Sequence, residues 1–368
     1  MKKITNPAFL MIFAAILFFG PIVHAKIWRV NNQSNYDNTT AWGDNYGGTP
    51  AYPVFKQINQ AVANANVMDS DTLHIEGSSI IYADATITKR LVIIGPGFFL
   101  TENSKVANST YDASIGRIGF NAGSELSQLI GMNIVSAGSS SDGTIYINVN
   151  NITVKRCRIV RDIQFATQLT DVFILQNFFV SSSSNAIVGN GSSSFIPPQD
   201  IIFNNNIVQT KLIWSNRQIL ECNNNVFDGP ANELNLDFNT GSFQNNILKA
   251  AGITANINDG TNNNVEYNTV SNSGVFADTP GVVWEPAMTN LFVSGGTTDG
   301  QYQLRPDATS NVNGSDGTER GSFGGAAIVN RYNLSGLAAI PVVYNVSTTG
   351  VSEPNTGLPV NVKARTNY

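Results

Sequence analysis

The densest charge in the middle of the chain is Lys155, Arg156 and Arg158, followed by Arg161 and Asp162. If Val154, Cys157 and Ile159 face inward, Lys155, Arg156 and Arg158 face out, and such a patch can hold an anionic sugar through bidentate guanidinium contacts. The competing reading is an ordinary solvated outer face. A second set is Glu233, Asn235 and Asp237, which alternate with Leu234, Leu236 and Phe238 and so share one face of a strand. Glu233 and Asp237 stand roughly 13 Å apart on an extended strand, beyond the ~6.5–9.5 Å of an inverting carboxylate pair. A sugar-binding surface fits them better than hydrolysis, and a plain polar face fits as well. His74 lies between Leu73 and Ile75 and reads as a solvent-facing strand residue.

These residues sit in a chain of unusual composition. Of 368 residues, 13% are charged and 47 are Asn, about one in eight. An average protein is about 25% charged. A net charge of −5 without a basic stripe argues against a nucleic-acid partner. Two cysteines are too few for a disulfide scaffold or a Cys-rich zinc module. No cofactor and no metal is expected.

Residues 1–25 read as a secretory signal peptide. Lys2 and Lys3 precede an apolar run from Phe9 to Val23, and Ala25 marks the expected cleavage point. A retained anchor is the competing reading, but the run is shorter than the ~20 residues of a span and Pro21 breaks it. Losing Lys2 and Lys3 takes the net charge from −5 to −7. No later stretch is apolar enough to span a membrane as a helix, so an exported protein is expected. Residues 26–70 hold an N-terminal segment with a helix predicted from Pro53 to Val67, where Phe55, Ile58, Val62 and Ala65 give one apolar face. Strands are predicted around Leu73–Ile75 and Leu91–Ile94.

From there one pattern recurs: apolar, any, apolar, two residues, Asn, any, apolar. Its column runs through Asn133, Cys157, Asn177, Asn206, Asn225, Asn246 and Asn268, 135 residues in six steps, a mean period of about 22. A further strand follows several copies, as at Ile145-Tyr146-Ile147-Asn148-Val149. A unit of that length has no room for a crossover helix, so the units must coil directly and stack like strands in parallel. Asn suits such a column because an amide both donates and accepts. The competing reading is an Asn-rich disordered tract, against which the apolar offsets count. Cys157 and Cys222 fall three coils apart, roughly 14 Å along the axis, too far for a disulfide. Two buried free thiols are expected.

The run Phe55-Lys56-Gln57-Ile58-Asn59-Gln60-Ala61-Val62, then Asp69-Ser70-Asp71-Thr72-Leu73-His74-Ile75, resembles the capping helix and first strand of the right-handed parallel β-helix, or pectin-lyase-like, superfamily. The Asn-bearing coils resemble its asparagine ladder. Tyr302 to Pro306 and Asp316 to Gly325 resemble the closing segment of exported β-helix proteins of the Bacteroidetes group. The resemblance spans roughly residues 50 to 325. It implies an all-β fold: a single-stranded right-handed parallel β-helix (solenoid) over 71–330, preceded by a short N-terminal capping helix within 26–70 and followed by a C-terminal strand or tail over 331–368. Enzymes of that superfamily use paired carboxylates, or an Arg or Lys base with Ca²⁺, but no Asp-Asp, Asn-Thr-Asp or His-Gly occurs in the coils. The expectation is therefore a monomeric, exported, non-catalytic structural or glycan-binding module whose partner is an extracellular polysaccharide. The alternative is a polysaccharide lyase or glycoside hydrolase acting on acidic polysaccharide.

Overall fold

The computed structural model describes residues 25–33, 48–49, 51–103, 106, 111–139, 142–166, 168–180, 185–189, 200–214, 219–229, 234–238, 241–251, 253, 255–259, 264–308, 313–348 and 357–366. The leader expected over 1–25 lies outside them but for Ala25, and so does Glu233. The chain is all-β, built of long parallel sheets compatible with a parallel β-helix or solenoid. Ten strands form a first sheet, nine a second and five a third, with a separate three-stranded sheet beyond the third. The chain visits the sheets in rotation. Thr153–Lys155 lies in the first, Arg158–Ile159 in the second and Asp162–Phe165 in the third, before Val172–Leu175 re-enters the first. Each strand pairs in parallel with the equivalent strands of the turns before and after it.

Alternation explains the core. In Val172–Leu175 and Ile201–Asn204 the first and third residues are buried and the others half-exposed. The inward residues form one apolar stack in which Phe179 lies on Phe203 and Phe227 on Phe243, centroids 5.6 and 6.0 Å apart.

The corner between the first and second sheets is a single left-handed residue. Gly131, Arg156, Gln176, Asn205, Asn224, Asn245 and Tyr267 all have φ between 55° and 66°. The residue after each turns its side chain into the corner. There Asn177, Asn206, Asn225, Asn246 and Asn268 form an unbroken buried column. From Asn206 onward, each amide oxygen accepts the backbone N–H of the Asn one turn earlier at 2.8–2.9 Å and that residue's Nδ2 at 3.0–3.1 Å. Each Nδ2 also donates to a backbone carbonyl, as Asn206 does to Ile174 O at 3.0 Å. Cys157 stands at the start, its N–H donating to Asn177 Oδ1 at 2.9 Å.

Asn133 is a correction. It pairs with Arg158 in the second sheet, so it lies one residue past the column, and Met132, fully buried, holds the place. The reason is the bend itself: Gly131 takes the left-handed position, which fixes Met132 as the next residue. Asn133 instead donates to Asp112 Oδ2 and Ser114 Oγ at 3.1 and 3.2 Å.

The predicted helix is shorter, Ile58–Ala63. Phe55 is drawn into a bridge with Val30, and Gln60 Oε1 accepts the Gln57 N–H at 3.2 Å to start the helix there. Both cysteines are buried and free.

The described residues from 285 to 338 return along the corner as a strap. Arg156 donates to Leu337 O at 2.9 Å, Gln176 to Val329 O at 2.8 Å, and Asn205 to Ser322 O and Gly324 O at 2.9 Å. Arg320 donates to Asn268 O at 2.8 Å at the far end. Met288, Leu291, Phe292 and Tyr302 then cover Phe178, Ile207, Val226 and Ile247, which point out of the second sheet, and make a second core. The tail beyond is an antiparallel ribbon of Pro341–Thr348 and Val360–Thr366.

Asn206→Ala leaves the buried Asn177 N–H and Ile174 carbonyl without partners and is expected to cost about 3 kcal/mol in urea unfolding. Asn133→Ala, outside the column, is expected to cost about 1 kcal/mol or less; equal losses would contradict this register. Burial pushes the Cys157 thiol up to about 12 and raises that of Cys222, so a maleimide should label neither in the native protein and both after denaturation.

Candidate functional site

The structure separates the basic run among faces. Lys155 lies on the outer face of the first sheet, its Nζ 3.5 Å from Val329 O. Arg156 is not outward-facing as the alternation suggested. It is 4% exposed, because it occupies the left-handed corner and the strap closes over it, with its Nε on Gln176 Oε1 at 2.7 Å. Arg158 belongs to the second sheet, over the Phe99 ring at 5.5 Å. Arg161 sits at the next corner, 3.4 Å from Asp162. Asn235 and Asp237 lie in Leu234–Phe238, in register with Asn256 and Asn258 of the following turn, far along the chain from the basic run.

Arg158 forms a network that the repeat pattern does not reveal. Its Nη1 donates to Asn133 Oδ1 at 3.1 Å, and Asn133 Nδ2 passes the link to Asp112. Burial pushes the Asp112 carboxyl up to about 6, against the opposing pull of the Arg158 charge and the Asn133 amide. His74 lies on the outer face of its strand, between inward Leu73 and Ile75, but is half-buried there, and burial lowers its pKa. On that strand face Glu76 is bonded to Arg29 and accepts Asn31 Nδ2 at 2.9 Å.

The third sheet carries an open groove of about 510 Å³. Its floor is the outward row Thr86, Gly119 and Tyr146, residues on successive turns in direct register. Gly119 lacks a side chain where its neighbours have one, which leaves a notch beside the Tyr146 ring. A Cβ built on Gly119 would meet only Tyr146 Cβ, at 3.7 Å, an ordinary contact. The glycine therefore keeps the notch open without any need of backbone freedom. One end of the groove is the Arg117–Asp84 ion pair at 2.8 Å, and the other is Asn148 donating to Asn121 Oδ1 at 2.7 Å. The groove thus offers one aromatic face between two fixed sets of donors and acceptors, with the charges of Arg117 and Asp84 balanced.

Sequence reasoning placed Tyr146 and Asn148 on a strand but did not pair them with Gly119 and Asn121. Those partners lie 27 residues earlier in the chain, and the Asn column, which begins at Asn133, assigns no strand to them. No protein-family model matches the chain, and neither a curated protein nor a solved structure matches it.

Asp112 gives a pH test. Its native pKa lies above the ordinary 3.8, so the folded state holds the proton more tightly than the unfolded state. Its ionisation therefore lowers stability as pH rises from about 4 to about 6. Asp112→Asn should stabilise the protein at pH 7 by roughly 1 kcal/mol, after discounting for partial exposure, and by nothing at pH 4. A gain of the same size at both pH values in urea titrations would contradict the assignment.

Proposed function

We propose that this chain is an exported right-handed parallel β-helix that acts without catalysis as a glycan-binding module at the cell surface, its site being the third-sheet groove. The observation that carries the reading is the Tyr146 ring standing beside the vacant position at Gly119, between two pre-paired polar clusters. A pyranose has an apolar C–H face and a rim of hydroxyls. The ring supplies a flat apolar surface at low entropic cost, and Arg117, Asp84, Asn121 and Asn148 supply donors and acceptors already held in place. Because Arg117 and Asp84 neutralise one another, the groove suits a neutral hexose polymer better than a uronate.

Hydrolysis needs two carboxylates at a defined separation. Asp84 is the one carboxylate lining this groove, and Arg117 already engages it. The pattern of residues 1–25 supports export, and N-terminal sequencing of secreted protein should then begin at Lys26. The second reading, a lyase or hydrolase acting on acidic polysaccharide, draws support from Asp112, held near neutrality beside Arg158. It requires release of unsaturated or reducing ends that disappears in Asp112→Asn.

Glycan-array screening followed by titration calorimetry tests the leading reading. Tyr146→Ala and Gly119→Leu, the second of which fills the notch, should each weaken binding by about tenfold or more while the melting temperature stays unchanged. Binding that survives both substitutions, or its absence across neutral glycans, would contradict the proposal.

A further inference from the structure

Asp71 is 1% exposed and stands just before the strand Thr72–Ile75. Both of its carboxylate oxygens accept N–H groups. Oδ1 accepts the backbone N–H of Lys26 at 2.7 Å, and Oδ2 accepts Trp28 Nε1 at 2.7 Å and the Met68 N–H at 2.9 Å. Among the described residues no cationic side chain forms an ion pair with it. The Lys26 side chain points elsewhere, its Nζ 5.6 Å over the Trp28 ring and 5.8 Å over that of Tyr52. A buried carboxylate ordinarily has a counter-charge, and this one has three neutral donors.

One of those donors is special. Lys26 N belongs to the peptide bond after Ala25, the bond at which the pattern of residues 1–25 puts leader cleavage. Hydrolysis there by a leader peptidase consumes one water. Its oxygen goes to the Ala25 carbonyl carbon, which departs as a carboxylate, and its two hydrogens go to the Lys26 nitrogen, which becomes an α-ammonium. The donor 2.7 Å from Asp71 Oδ1 then carries a full positive charge. Ala25 itself is exposed, so its departure takes no atom out of the core.

We infer that leader removal completes the fold: the new α-ammonium of Lys26 forms a buried ion pair with Asp71 and locks the first strand onto the coil. The inference rests on the export reading of residues 1–25. The pair sits at a sensitive place. Ile27–Val30 is the end strand of the ten-stranded sheet, in parallel register with Thr72–Ile75. Lys26 O accepts the Thr72 N–H at 2.8 Å, so main chain and carboxylate clamp the same residue. Trp28, 2% exposed, packs against Phe55 with ring centroids 5.9 Å apart. Chain termini are where a folded protein opens first. A charge-assisted hydrogen bond is roughly twice as strong as a neutral one, so the leader-bearing chain opens its first coil more readily than the cleaved one. A single retained residue moves the ammonium away by about 3.8 Å and undoes the pair.

Two measurements test the cleavage and the ion pair separately. N-terminal sequencing of the exported protein should start at Lys26. Hydrogen exchange is compared among three chains: one beginning at Lys26, freed from a cleavable fusion; the same chain acetylated at its α-amine; and one beginning at Ala25. The Thr72 N–H and the Trp28 Nε1–H should exchange at least about tenfold more slowly in the first chain than in the other two. The Ile207 N–H, held by Asn177 O at 2.9 Å in a later coil, should exchange equally in all three. Asp71→Asn should erase the difference, and Lys26→Ala, which keeps the α-amine, should preserve it. An exported protein that begins elsewhere overturns the inference through the export reading. Equal exchange in the three chains overturns it through the ion pair, and that comparison needs no variant to fold. A difference that disappears in Lys26→Ala assigns the effect to Nζ and overturns it as well.

Discussion

Everything in this molecule depends on how the chain turns between its first and second sheets. The turn uses one left-handed residue, a conformation that costs an L-residue roughly 1–2 kcal/mol. The next residue closes the corner with a buried amide. The amide oxygen takes the backbone N–H and the Nδ2 of the turn before, and its nitrogen donates onward. A carboxylate could not donate, and a stack of carboxylates would repel; a hydroxyl would not reach both ways. The column therefore explains why Asn, and no charged residue, fills these five positions.

The same corner decides which outer surfaces remain open. Arg156, Gln176, Asn205 and Asn245, all in the left-handed position, aim their side chains out of the corner, and the strap bonds to each of them. The strap then closes the second sheet under a second core. The first sheet keeps a mixed face on which Lys155 stands between Ile130 and Leu175, and the third keeps a polar groove lined by Tyr146. Three faces of one coil thus have three chemistries, although the inward residues repeat.

The period and the inward alternation were legible in the sequence because apolar residues recur at fixed offsets, and so was the column from Asn177 to Asn268. The two buried free cysteines followed from spacing alone. The candidate site was not legible, for definite reasons. The repeated pattern spans two strands hinged at the corner, so Lys155 and Arg158, three residues apart, lie in different sheets. The contact between Arg156 and Leu337 joins residues 181 apart in the chain, with no periodicity to announce it. Gly119 gains meaning only from standing opposite Tyr146, and the Asn column begins after it, at Asn133.

Native-state amide hydrogen exchange tests the central claim most directly. If the amide column holds the coils together, the backbone N–H groups of Asn177, Asn206, Asn225 and Asn246, which donate to side chains rather than to strand carbonyls, should share the slowest exchange tier with the core strands and open only with global unfolding. Exchange of these four at the rate of surface turns would contradict the account.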